Sequence, residues 1–209
     1  YGLPFNASTP IMYYNVELVK KAGGDPDKMP DTWEGIMALA AKIRTAGPDV
    51  AGIAYNVHDW PDVWLYHAMI TQAGATVVDG DSVPLGGPET GVKTLQTFRR
   101  FVTEGGMPLI DWDQSRQQFI AGKIGIFFDT PARLRQVTDL IGDKFTLRTA
   151  VFPIDDKAHG GLPTGGNAAL ITTRDPAKQK AAWEFLKFVT GPERDIERTV
   201  VGTRRGRRW

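Results

Sequence analysis

The chain has 209 residues, 42% hydrophobic and 23% charged, an ordinary globular composition with room for one large domain or two small lobes. Lys and Arg number 25 against 24 Asp and Glu, so overall charge makes no case for nucleic acid or a membrane surface. The absence of cysteine removes disulfides, thiolate chemistry and cysteine-held metals and leaves the redox compartment open.

No apolar run approaches the roughly 18 to 20 residues of a membrane helix, and no basic, apolar, small-residue leader precedes Tyr1. The chain opens without an initiating Met inside an extended segment, and is expected to be processed or truncated. Pro4 and Pro10 keep that segment out of the helical region. Between them the polar run from Asn6 to Thr9 is placed to face a ligand, and Ile11 to Tyr14 then reads as a buried strand.

Val16 to Ala22 is predicted as a short helix closed by Gly23 and Gly24. A second helix is signalled by Asp31, with Glu34 three residues on, as a capping box; Ile36, Leu39, Ala40 and Ile43 form its apolar stripe. Gly52 to Tyr55 is a strand candidate. Trp60-Pro61 opens a third helix running to about Ala73. Thr76 to Val78 and Ser82 to Leu85, joined by Asp79-Gly80-Asp81, read as a hairpin.

A long helix is predicted from Pro88 to Glu104 with Val92, Leu95, Phe98 and Val102 as its stripe, and a further one from Gln114 to Ala121, capped by Asp113. Ile124 to Phe128 is apolar throughout, as a strand covered on both faces would be. Asp129-Thr130 caps a helix from Pro131 to Ile141, Phe145 to Phe152 and Asn167 to Thr172 are strands, and Pro176 to Thr190 is an amphipathic helix. Trp33 and Trp183 are expected in the core. Strands alternating with helices give an α/β class.

Little here supports catalysis. His58, His67 and His159 are scattered outside any metal-ligand spacing, and no Gly-x-Ser-x-Gly elbow occurs. The glycine-rich run from Leu162 to Asn167 lacks Gly-Lys-Ser/Thr and leads into a strand, which disfavours a phosphate loop. Its glycines instead permit close approach of backbone to a ligand, making Gly165, Gly166 and Asn167 candidates. Asp59 and Asp129 each sit where a strand gives way to a helix, the edge at which open α/β sheets bind ligands, with helix capping as the equal alternative. Trp60 at such a turn offers an aromatic face for stacking on a sugar ring or a ligand cation, with packing at the helix start as the equal alternative.

The ordered set Leu3-Pro4-Phe5-Asn6-Ala7-Ser8-Thr9-Pro10, Tyr13-Tyr14-Asn15, Lys21-Ala22-Gly23, Pro30-Asp31-Thr32-Trp33, Phe119 with Gly122-Lys123, and Phe185-Leu186 before Gly191-Pro192-Glu193 resembles the family 1 extracellular solute-binding proteins of ABC importers, of the sugar and sn-glycerol-3-phosphate-binding type. The resemblance implies a type II periplasmic-binding-protein fold, with one lobe nearly complete and part of the second. Its expected boundaries are a hinge crossover at 1–9, a ligand-binding lobe at 10–153, a return hinge at 154–161, a strand and helix of the other lobe at 162–193 and a basic tail at 194–209. It further implies non-catalytic capture of a sugar or glycerol phosphate between lobes, a periplasmic or extracellular location and delivery to an ABC permease. No cofactor, metal or nucleic acid is implied.

Residue by residue, Ser8 matches a ligand-contacting hydroxyl, with Thr9 beside it, and Trp60 a stacking tryptophan. Thr130 and Pro131 fall where the glycerol-phosphate binders have two serines, and Gly165-Gly166 falls on their paired glycines. Pro131 departs from the pattern, since it has no hydroxyl or amide hydrogen to give a phosphate. A first-lobe segment before the crossover and a helical segment after Gly191-Pro192-Glu193 are expected to be missing, and an incomplete sheet is expected to pair with a second copy.

From Arg194 to Trp209 six arginines face two acidic residues, unlike the family, and this tail is expected to reflect a shifted reading frame. Two other functions stay open. One is a sugar-active hydrolase using Asp59 and Asp129, which requires carboxyls about 5 Å or about 6.5–9.5 Å apart. The other is an interaction module built on the basic tail.

Overall fold

The strand expected to be covered on both faces organises the larger part of the structure. In the computed structural model, which describes residues 3–56, 63–154, 156–163 and 165–191, every residue of Ile124–Asp129 is buried. Six strands and seven helices are described: β1 (Leu3–Ser8), β2 (Ile11–Asn15), α1 (Val16–Lys21), α2 (Trp33–Arg44), β3 (Ala51–Ala54), α3 (Val63–Gln72), α4 (Val92–Thr103), α5 (Trp112–Ile120), β4 (Ile124–Asp129), α6 (Leu134–Ile141), β5 (Leu147–Ala150), β6 (Gly165–Ala169) and α7 (Pro176–Thr190). The chain divides into two units, Ser8–Gly165 and, from its two ends, Tyr1–Ala7 with Gly166–Trp209.

The larger unit carries a four-stranded sheet in the order β3-β4-β2-β5. β3 runs parallel to β4, and β2 runs antiparallel to both β4 and β5. The carboxyl ends of β3, β4 and β5 therefore share one edge with the amino end of β2. Successive residues of β4 point to opposite faces, and each face has its own aromatic cluster. Phe127 stacks on Phe119, ring centroids 5.4 Å apart, beside Tyr13. Phe128 meets Trp33, Tyr55 and Phe152. Trp33 is thus in the core, as expected.

α2 lies so close to β3 that a Cβ at Gly52 would fall 1.9 Å from the carbonyl oxygen of Ala40, and one at Gly125 would fall 2.5 Å from Ile43. Only a residue without a side chain allows this approach. The segment 154–161, expected as a hinge, makes backbone bonds to the larger unit, with Asp156 N–H donating to Gln72 O and Gly161 N–H to Thr71 O.

Several local expectations need correction. Thr32, not Asp31, caps α2, its hydroxyl accepting from Gly35 N–H; Asp31 instead pairs with Lys157 at 2.6 Å. Asp111, not Asp113, caps α5 in a complete capping box with Gln114. The expected hairpin is a single bridge between Asp79 and Ser82, because Val78, Val83 and Leu85 are exposed and no face of the ribbon is buried. A π-helical turn, Gly87–Gly91, precedes α4; of the predicted stripe Phe98 and Val102 pack against the core beside the fully buried Phe101, while Val92 and Leu95 nearer the start are exposed.

In the smaller unit β1 and β6 form a two-stranded sheet, and β6 starts two residues before the strand expected there. α7 begins at Pro176 behind Asp175, which accepts from Ala177 N–H at 2.8 Å. Trp183, expected in the core, is 46% exposed and no residue of α7 is buried, since a helix stripe is covered only where another layer packs on it.

The helix contact at Gly52 generates a stability prediction. Gly52→Ala must push α2 backbone away from β3 and is expected to cost about 2–3 kcal/mol, whereas Gly161→Ala, with nothing within 4 Å of the added carbon, stays near wild type in urea denaturation. Equal stabilities for the two variants would contradict the close packing.

Candidate functional site

The carboxyl edge of the sheet is where an open α/β unit presents ligand-binding groups, and the register fixes what meets there. Ile11 pairs with Asp129 across β2 and β4, which brings Ser8, ahead of β2, to Thr130, after β4. Their hydroxyls form a short hydrogen bond. Both residues are half-buried.

Thr130 is held at each of its polar atoms. Its N–H donates to Asp129 Oδ1 at 2.7 Å, and its carbonyl accepts from the Tyr13 hydroxyl at 2.7 Å and from Arg133 N–H at 3.2 Å. Its Oγ1 accepts from Ala132 N–H at 3.2 Å, the cap of the 3₁₀ turn Pro131–Arg133 that leads into α6. Proline at the first position of that turn loses nothing, because its missing N–H would have had no helical partner.

The two hydroxyls carry two hydrogens between them, and one is used in the bond that joins them. If Ser8 donates, Thr130 keeps its O–H hydrogen; if Thr130 donates, Ser8 does. The pair therefore offers one O–H donor to a ligand acceptor.

Asp129 lies behind the pair. Its side chain is 0% exposed, with Oδ1 taken by Thr130 N–H and Oδ2 by Arg116 Nε at 3.0 Å. Arg116, on α5, also donates through Nη1 to Asp113 at 2.5 Å, and its guanidinium lies 5.8 Å from the Trp112 ring centroid. Burial pushes the Asp129 carboxyl above the ordinary carboxylate range, against the pull of Arg116, Thr130 N–H and Arg133. Burial, with Asp129 next to it, likewise raises the Tyr13 phenol, which stays a donor.

Asn56 stands just past β3 on the same edge, 1% exposed, its Nδ2 donating to Ile110 O and Ser115 Oγ at 3.0 Å each. Its Oδ1 is buried without a partner among the described residues, as is Trp64 Nε1 near the start of α3. The Tyr55 hydroxyl, donating to Leu65 O at 2.6 Å, ties the end of β3 to α3. Gly165 sits against the Trp64 indole, where a Cβ would lie 3.1 Å from Cε2.

Of the residues singled out from sequence, the fold brings together Ser8, Asp129 and Thr130. Thr9 is exposed next to them, and Gly165 lies on Trp64. Asp59 and Trp60 lie outside the described residues. Gly166, with φ +129°, and Asn167 are exposed on β6 of the other unit. Arg116, Tyr13, Asn56 and Trp64 were not singled out. An arginine within a polar helix, or a tyrosine in a buried strand, gives no sign in sequence of which strand end it will meet.

A groove of about 460 Å³ lies at the opposite edge of the sheet, between Glu17 after β2 and Phe145 before β5. Of its two lining carboxylates, Glu17 and Asp143, that of Glu17 already accepts from Thr146 N–H and Oγ1 at 2.9 and 2.8 Å. Among the described residues no group of three or more acidic or histidine side chains is placed to hold a metal, and no helix is long and apolar enough to cross a membrane.

Residues 1–195 match the model of the bacterial extracellular solute-binding protein family. The chain belongs to that family. Its members are non-enzymatic binding proteins. It is 28% identical over 203 residues to the sn-glycerol-3-phosphate-binding periplasmic protein UgpB of Pectobacterium atrosepticum, covering 93% of this chain and 45% of that protein. It is 25% identical to UgpB of Escherichia coli K12, with coverages of 93% and 46%.

Among solved structures, UgpB of Mycobacterium tuberculosis in complex with glycerophosphocholine superposes with a TM-score of 0.76 at 22% identity, over 93% of this chain and 50% of that one. The cyclic α-maltosyl-1,6-maltose binding protein of Arthrobacter globiformis gives 0.73 at 22% identity, over 92% and 49%. The chain thus spans about half the length of these relatives and has the type II periplasmic-binding fold.

The raised Asp129 carboxyl has a measurable consequence. A carboxyl whose folded pKa lies above its unfolded one, about 3.9, contributes stability that is present below the unfolded value and lost as pH rises through the folded value. Wild-type stability minus that of Asp129→Asn is therefore expected to fall with rising pH across the carboxylate range. A difference that grew with pH would mean a carboxyl held below its ordinary value.

Proposed function

We propose that this chain is the ligand-binding part of the substrate-binding component of an ABC importer, working in the periplasm or outside the cell. Its solute is of the sugar or glycerol-phosphate type, and a membrane permease receives it. The observation that carries this reading is the Ser8–Thr130 hydroxyl pair, half-buried at the carboxyl edge of the sheet and left with one O–H donor. A single donor suits a hydroxyl, ether or phosphate oxygen equally. The likeness to the UgpB proteins supports the glycerol-phosphate class, and the likeness to the cyclic α-maltosyl-1,6-maltose binding protein supports the sugar class.

The hydrolase reading requires a carboxylate free to act on a substrate. Asp129 has neither oxygen free and no exposed surface, so the binding reading fits its environment better.

Calorimetric titration with glycerol-3-phosphate, glycerophosphocholine and maltose tests the proposal. Ser8→Ala and Thr130→Val are each expected to weaken whichever ligand binds by about tenfold. Because the two hydroxyls act as one unit, the double variant is expected to lose little more than either single one. Affinity unchanged in both single variants would overturn the assignment.

For the smaller unit, we propose pairing with a second copy. The described sheet has only β1 and β6, and α7 exposes Trp183 and Phe185; open strand edges and uncovered aromatic rings favour association. Light scattering is expected to show a mass above that of the monomer that rises with concentration. A constant monomeric mass would reject it.

A further inference from the structure

We propose that Arg116 is a positioning residue for the Ser8–Thr130 pair, acting through Asp129 to fix Thr130; this rests on reading that pair as the ligand site. Arg116 does not touch the hydroxyls. It holds the carboxylate that does the orienting, through Nε to Asp129 Oδ2 at 3.0 Å, while the other carboxylate oxygen takes Thr130 N–H at 2.7 Å. A carboxylate held from one side by a planar guanidinium cannot rotate without breaking one of these bonds. The direction of Thr130 N–H, and with it the placement of the hydroxyl three bonds further on, follows from where Arg116 stands.

Arg116 is itself well fixed. Its side chain is only 13% exposed, Nη1 is drawn to Asp113, and the guanidinium lies over Trp112. Both neighbours are on the first turn of α5, whose start is set by the Asp111–Gln114 capping box. The preceding residue, Ser115, is 0% exposed and accepts from Asn56 Nδ2 at the end of β3. Two consecutive residues of one helix thus brace the carboxyl ends of two neighbouring strands, Ser115 that of β3 and Arg116 that of β4.

The charged and titratable groups facing Asp129 come from three elements. They are Arg116 with Asp113 from α5, Arg133 from the turn after β4, and the Tyr13 phenol from β2. Arg116 is the one that bonds the carboxylate directly. Removing its charge is expected to leave Asp129 buried with weaker compensation, so that the carboxyl takes up a proton at higher pH and frees Thr130 N–H from a charged acceptor.

The test reads Thr130 first and ligand second. In the isotope-labelled 209-residue chain, the Thr130 amide proton is expected to titrate with Asp129 in NMR spectra. Arg116→Met keeps the stem that packs on Trp112 and removes the charge. It is expected to move that resonance and raise its pH midpoint, and Arg116→Lys is expected to bring the midpoint back toward wild type. A purely structural role predicts that Met behaves as wild type at this amide, and an unchanged resonance and midpoint in Arg116→Met would overturn the proposal.

If Arg116→Met does not fold, Asp129→Asn carries the test. The Thr130 titration must then vanish, and a titration that persists rejects the coupling. Calorimetry with glycerol-3-phosphate, glycerophosphocholine and maltose adds the functional half, with affinity in Arg116→Met expected about tenfold lower than wild type. Wild-type protein that binds none of these probes counts against the solute-binding reading, while the amide spectra still decide whether Arg116 sets Thr130.

Discussion

The antiparallel pairing of β2 with β4 is the constraint on which the larger unit depends. The Ile11–Asp129 register joins residues more than a hundred positions apart, and the meeting of Ser8 with Thr130 follows from it. A slip of β2 by one residue would turn Tyr13 to the face opposite Phe127. The ring cluster with Phe119 would then be lost, together with the Tyr13 hydroxyl's hold on the Thr130 carbonyl. Core packing on one strand face and the geometry of the Ser8–Thr130 hydroxyl pair at the strand's end are set by the same alignment.

The polar chemistry at that edge is built inward. An ionised carboxylate with no solvent contact is costly to bury and is tolerated only with strong partners. Asp129 has a guanidinium on one oxygen and a main-chain N–H on the other. Buried pairs of this kind often stabilise a protein no more than well-packed apolar residues of equal volume do. What this one provides is direction, since each bond in the series from Asp113 through Arg116 and Asp129 to Thr130 restricts the next.

Much of the fold was legible in sequence because it rests on short-range chemistry. The apolar run of β4, the glycine closing α1, Pro176 at the head of α7 and Thr130 before Pro131 all act within a few residues. The errors came where distant packing decided. Asp31 had the right neighbours for a cap but was drawn to Lys157, and the first half of the α4 stripe, Val92 and Leu95, is left exposed while Phe98 and Val102 meet the core. Trp183 looked like a core residue because helical spacing shows that a face is apolar, not that another layer covers it. At the site, Ser8, Thr130 and Asp129 were readable as residues beside strand ends. That Asp129 points inward and that Arg116 is the group it meets depend on tertiary placement, which no local pattern encodes.

The shared hydrogen between Ser8 and Thr130 has one more consequence. Reversing the direction of that bond moves the remaining donor from one oxygen to the other without displacing a heavy atom. In the proposed ligand-binding role, the same two side chains can therefore greet an acceptor arriving from either side, and the adjustment is a proton's reorientation rather than a side chain's rotation. Under that proposal the site is rigid in its framework and still accepts solutes whose oxygens are spaced differently.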